Sequence, residues 1–306
     1  MWALRRTLIA VAIVGTVIVV GHHVLLGSGE VPPLSTYALD LSKLRAMAGA
    51  PDAELPIDVR VEVVARTRMP RGFLVAGESL VERTDLVTVA YQVVYPGQRT
   101  LIVDAGADQA LFDAELPDTT VDSDAHAAVQ RALPFAEHIV VTHEHFDHLG
   151  GIARSPHFER VAPRLRLTGA QLANTAELRR SGLSAAAAQG LSALEYRDRH
   201  RLAPGVVLVA APGHTPGSQL VFIKLRDGRE LLLLGDVAWH RDGLELPRAK
   251  PLLASRFVLD EDRKAVNHQL RALHELRRQP VHLVVAHDGE QLSALLKDGV
   301  LTAGFQ

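Results

Sequence analysis

Three histidines and two acids crowd into six residues of this chain, within Thr142-His143-Glu144-His145-Phe146-Asp147-His148-Leu149-Gly150-Gly151. Imidazole and carboxylate without thiolate form a donor set that suits Zn²⁺, with Mn²⁺ or Fe²⁺ as substitutes. Residues two apart face the same way only on extended backbone, so His143 and His145 are expected to leave a strand together and share one metal. A helix would instead space paired histidine ligands four apart. The apolar run Glu137-His138-Ile139-Val140-Val141 reads as the strand that delivers them. Asp147 and His148 are adjacent and face elsewhere once the chain turns, which makes them candidates for a second metal. Gly150-Gly151 lets backbone pack close behind. Glu144 points away from its two neighbours and reads as a surface carboxylate or one that supports the ligands from behind.

One such cluster could be a solvated loop in a chain with fifteen histidines. Three further candidates argue otherwise, because each ends an apolar, strand-like run. Val206-Val207-Leu208-Val209-Ala210 leads to His214, Leu231-Leu232-Leu233-Leu234-Gly235 to Asp236, and His282-Leu283-Val284-Val285-Ala286 to His287. Sites in α/β sheets form at the carboxyl ends of strands, where these four segments would converge.

The ordered set His143-x-His145-x-Asp147-His148, then Pro212-Gly213-His214-Thr215-Pro216-Gly217, Gly235-Asp236 and His287-Asp288, resembles the metallo-β-lactamase superfamily of hydrolases over roughly residues 57–297. That resemblance implies a four-layer αββα sandwich with a two-metal centre at one edge of its sheets. It implies that His143, His145 and His214 bind one metal, that Asp147, His148 and His287 bind the other, and that Asp236 bridges both. Asp104, in Leu101-Ile102-Val103-Asp104-Ala105-Gly106, matches a motif that supports such a site without ligating. Two zinc ions, two carboxylates and a bridging hydroxide would leave a centre of about one positive charge, suited to an anionic intermediate, and the paired metals would lower the pKa of the water between them. Asp147 and Asp236 are thus the catalytic candidates, Asp147 also as a proton carrier for the leaving group.

Branches of the superfamily separate on single residues. Cysteine-containing β-lactamase sites are excluded by the absence of cysteine, and other β-lactamases generally lack the equivalent of Asp236. Flavin-coupled members replace a motif histidine with an acid. The ligand set is similar to those of acyl-homoserine lactonases and glyoxalase-II-like thioesterases, although Trp239 stands where the lactonases usually carry a tyrosine, and only a short tail follows His287. A small ester-like substrate is therefore expected, lactone first and thioester second. Phosphodiester or β-lactam hydrolysis and a non-catalytic metal-binding or sensing module are the alternatives. Trp239, His240 and Phe73 are candidate substrate contacts, the last in the stretch Arg68-Met69-Pro70-Arg71-Gly72-Phe73-Leu74-Val75-Ala76-Gly77, which reads either as a substrate-covering flap or as an ordinary hairpin tip.

The surrounding elements must hold these groups. The 306 residues suit one large α/β domain after a leader. Strands are expected over 57–64 and 87–94, and helices near 39–47, 125–133, 171–180 and 263–278. The net charge of −2 and the lack of a long basic stripe exclude an obvious nucleic-acid partner, so a small-molecule substrate is expected. Arg5-Arg6 precede about twenty uncharged residues, 7–26, long enough to span a bilayer. Residues 1–26 therefore read as a signal anchor, with 27–36 as linker and 37–306 as the catalytic domain. The membrane is a partner in this reading, and the domain lies on the periplasmic or extracytoplasmic side, or is exported after signal cleavage. Nothing in the sequence sets the oligomeric state.

Overall fold

Alternation along the central strands sorts their side chains into two cores. In the strand β7 (Val206–Ala210), Val206 and Leu208 point one way and Val207 and Val209 the other, and all four are buried. A strand apolar on both faces must be covered on both faces, which is the arrangement seen in a computed structural model that describes residues 15, 16 and 20–306. The leader expected to cross a membrane falls largely outside these residues. Among the described residues, no helix is long and apolar enough to do so.

One sheet contains β1 (Asp58–Pro70), β2 (Arg83–Val94), β3 (Thr100–Val103), β4 (Thr120–Val121), β5 (His138–Val140) and β11 (Thr302–Ala303). Its order is β11-β1-β2-β3-β5, with β4 paired to β1. The second sheet runs β10-β9-β8-β7-β6, from β6 (Arg199–Ala203), β7, β8 (Gln219–Lys224), β9 (Glu230–Leu233) and β10 (His282–Val284). Val87, Val89, Tyr91 and Val93 of β2 pack against Val206, Leu208, Val221 and Ile223 between the sheets. Outside the second sheet, Phe222 and Leu232 meet Leu44, Val266, Leu270 and Leu273 of the helices Leu41–Ala48 and Arg263–Leu276. Outside the first, Ile102 and Ile139 meet Val129, Leu149 and Ile152. These are the four layers αββα expected from the sequence.

Three local details settle or depart from the sequence reading. The stretch 68–77 takes the hairpin-tip alternative rather than the flap, because β1 continues through Pro70, paired with Arg83, and one helical turn, Arg71–Leu74, precedes the return strand. The helix expected over 171–180 breaks into Gly169–Ala173 and Thr175–Arg180. Asn174, at ψ 65°, leaves helical geometry there, and its side-chain amide reaches Glu144. Residues 27–36, expected as a linker, lie on the domain. Ala249 N donates to Gly29 O at 2.8 Å and Ser35 Oγ to His268 O at 2.6 Å.

Candidate metal centre

The carboxyl ends of β5, β7, β9 and β10 bring the sequence-derived donors together. His143 and His145 lie in the loop between β5 and the helix Phe146–Ala153, so they do leave a strand as their spacing requires. That helix carries Asp147 and His148 in its first turn. Behind it, a Cβ on Gly151 would lie 2.4 Å from Ala105 O, so only glycine allows this approach to the loop after β3. His214 occupies the turn after β7. Asp236 sits in the single turn Gly235–Val237 after β9, where Gly235 has a φ of +49° and presses against Thr142.

Two groups result, and each could hold a metal ion. In the first, His145 Nδ1 lies 3.0 Å from both His143 Nε2 and His214 Nε2. Asp236 Oδ2 completes it, 3.2 Å from His214 Nε2 and 3.7 Å from His143 Nε2. In the second, Asp147 Oδ2 is 3.6 Å from His148 Nε2 and 3.8 Å from His287 Nε2. The other oxygen of Asp236, Oδ1, faces this group, 3.0 Å from His287 Nε2 and 3.3 Å from His148 Nε2. One carboxylate thus turns one oxygen to each group.

Outer partners decide which ring nitrogens are free. A carboxylate or carbonyl only accepts, so the contacts of His148 Nδ1 with Asp104 (2.9 Å), of His214 Nδ1 with Glu261 (2.8 Å) and of His287 Nδ1 with Val87 O (2.8 Å) place a proton on each Nδ1. Their Nε2 atoms then aim inward, and that of His148 is buried with no hydrogen-bond partner. Converging imidazole nitrogens, an orphaned buried nitrogen and a divided carboxylate together fit divalent cations.

The electrostatics point the same way. Burial holds His143 and His145 well below the usual imidazole range, aided by neighbouring histidines, which leaves their lone pairs available. Burial also pulls on His148, but Asp147, Asp104 and Asp236 outweigh it and hold that ring well above the usual range. Burial pulls His214 and His287 down as well, but Asp236, joined by Glu261 at the first and Asp147 at the second, outweighs it and raises both. Burial pushes Asp236 up, yet the rings of His287, His143, His148 and His214 hold it well below the ordinary carboxylate range. Without a cation, protons balance these acids, and a metal would compete for the same positions.

Several supporting groups were legible in the sequence only in part. Asp104, at a φ of +59°, accepts from Thr142 N at 2.7 Å and Thr142 Oγ1 at 2.9 Å besides His148. Its unusual backbone conformation is held by the groups it serves. Glu144 is not a surface carboxylate. It is fully buried and accepts from Asn174 Nδ2 at 2.9 Å and Thr215 Oγ1 at 2.8 Å, tying the first histidine loop to the His214 turn. Lys250 and Glu261 had no sequence signal, the second being hidden in the acidic run Asp260-Glu261-Asp262 before a helix.

The candidate substrate contacts divide. Trp239 Nε1 donates to Asp236 Oδ2 at 2.5 Å, and its ring centroid lies 6.5 Å from that of His214 and 6.0 Å from that of His287. Phe73 lies 6.4 Å from the same indole, in an apolar cluster with Leu74, Val75 and Leu86. His240 is buried like Trp239 but turns away from the donors, accepting from Asp242 N at 3.2 Å through Nδ1, with Nε2 3.5 Å from Asp288.

Comparison with known proteins adds three findings. The family model described as "Metallo-beta-lactamase superfamily" matches residues 83–287. A probable metallo-hydrolase of Mycobacterium tuberculosis is 30% identical over 176 residues, covering 53% of this chain and 54% of that protein, and one of Mycobacterium bovis matches equally. The chain therefore spans about half the length of the curated relatives it matches. Among solved structures, an N-acyl homoserine lactone hydrolase with N-hexanoyl-L-homoserine at its catalytic metal centre superposes with a TM-score of 0.61 at 17% identity, over 78% of this chain and 96% of that one. A probable metal-dependent hydrolase from Staphylococcus aureus gives 0.59 at 17%, over 77% and 90%. At these identities the structural likeness concerns the fold.

Proposed function

The chain belongs to the metallo-β-lactamase superfamily, and from that premise we propose that it is a dinuclear zinc hydrolase of a small ester-like substrate, lactone first and thioester second. The observation that carries this reading is Asp236, whose two oxygens face two separate groups of donors. His143, His145 and His214 would hold one ion, Asp147, His148 and His287 the other, and Asp236 both. Ions bound there supply a Lewis acid for the substrate carbonyl and water that ionises near neutral pH.

The chain's own residues do the rest. Neutral His143 and His145 present lone pairs, while Asp104, Glu261 and the carbonyl of Val87 orient the remaining rings. Asp147, whose side chain is 16% exposed, would take the proton released by the attacking water and pass it to the departing alkoxide or thiolate. Trp239 stands where a phenol would otherwise orient a carbonyl, and its N–H is given to Asp236 Oδ2 instead. Together with Phe73 it forms an apolar wall suited to an acyl group. The solved lactone hydrolases share this fold, which supports lactones as the first substrates to try.

The test is a panel of lactones, thioesters, phosphodiesters and β-lactams on the zinc-loaded full chain. Lactone turnover that vanishes in Asp236→Ala supports the reading. Two bound metals without turnover of any class would replace it with a binding or sensing module. The uncharged segment 7–26 after Arg5-Arg6 supports an N-terminal anchor with the domain outside the cytoplasm. Recovery of a mature chain lacking 7–26 would overturn that part.

A further inference from the structure

Lys250 forms a buried ion pair with Glu261, the carboxylate behind His214, and neither the ligand motifs nor the proposed chemistry uses the lysine. Lys250 is 4% exposed and Glu261 6%. The ammonium donates to Glu261 Oε1 at 2.5 Å and to the backbone carbonyl of Asp236 at 2.6 Å, and it lies 5.0 Å from the centroid of the Trp239 ring. The same Glu261 oxygen accepts from His214 Nδ1 at 2.8 Å. One cation thus links two turns that carry donors of the first group, the His214 turn through Glu261 and the Asp236 turn through its carbonyl.

A buried ion pair is a poor source of stability, since an apolar pair of similar volume commonly serves as well or better. Its position is more telling. Glu261 fixes the His214 tautomer with Nε2 inward, and Lys250 holds that carboxylate in place while fastening the turn that presents Asp236. Carboxylates behind ligating histidines commonly change metal affinity by about 10- to 100-fold. We infer that Lys250 and Glu261 are positioning residues that set the metal affinity of the His143, His145, His214 and Asp236 group. The inference rests on the metal-binding reading above.

The decisive variant is Lys250→Met/Glu261→Gln in the full chain, because it removes both charges together and keeps similar volume. Metal-free samples are compared by thermal unfolding, then titrated with Zn²⁺ against a competing chelator and with Co²⁺ by visible absorption. The expected result is near-wild-type metal-free unfolding, one ion held about 10- to 100-fold more weakly, a changed cobalt spectrum and the other ion little affected. Lys250→Arg, which keeps the charge, should restore much of the affinity relative to Lys250→Met. Wild-type affinity at both groups in the double variant would overturn the inference. So would equal weakening at both groups in proportion to lost metal-free stability, which marks a merely structural pair. If the double variant does not fold, Glu261→Gln alone is judged by the same affinities. A wild-type chain that takes up no metal ends the functional reading itself, whereas a metal-loaded wild type with an unaffected variant ends only this inference.

Discussion

His214 and His287 reach the same carboxylate from opposite sides with the same ring nitrogen, at 3.2 and 3.0 Å, but they are held from behind in different ways. His214 gives its outer N–H to Glu261, a side chain backed by a buried lysine. His287 gives its outer N–H to the carbonyl of Val87 on β2, and Val87 N donates back to His287 O at 3.0 Å. The first support is side-chain chemistry and can be altered with the backbone intact. The second is strand placement, since β2 belongs to one sheet and His287 follows a strand of the other, so the clasp that orients the ligand also closes the sandwich. The support of His214 is therefore tunable by substitution, while the support of His287 is as stable as the fold.

The harshest way to break this contrast is to remove what the halves share. Asp236→Ala should abolish binding of at least one ion and reduce turnover by ~10³-fold or more, read by metal analysis and initial rates. Next, Asp104→Asn tests the His148 support. Asparagine tolerates the positive φ but loses the carboxylate, so affinity at the Asp147, His148 and His287 group should drop by about 10- to 100-fold, with the first group less affected.

Acid acts on both halves. Acidic neighbours outweigh burial and raise His148, His214 and His287 in the metal-free chain, so a cation must displace protons held above the usual imidazole range. Metal affinity should consequently fall as pH drops, by up to about tenfold per unit for each proton displaced. Zinc titration in weakly buffered solution should release protons, and pH-independent affinity would refute the point. The smallest effect on the site is expected from Val87→Ala, which leaves the carbonyl in place. Stability should fall by about 2 kcal/mol from lost core packing, measured by denaturant unfolding, with metal affinity unchanged.

The donors were legible because each follows an apolar run ending where a strand ends, and because the His143 to His148 spacing is local. The four-layer arrangement was legible through the family resemblance that the donor motifs carry, and the alternation of helical and strand-like runs agreed with a layered α/β class. Glu144 was half legible: alternation turned it away from its neighbours, but only packing buried it against Thr215 and Asn174. The break at Asn174 was hidden, since helical periodicity carries through it and the residue leaves the helix for a partner thirty positions earlier.

The sequence by itself determined which atoms could bind metal, the strand ends that present them and the family they belong to, all consequences of residue type and short-range period. Tertiary structure alone decided that Glu261 and Lys250 stand behind His214, and that a carbonyl two hundred positions away orients His287. The physical reason is that backbone carbonyls are alike in every residue and a buried ion pair between distant segments leaves no period. Such contacts exist only once the two sheets have closed.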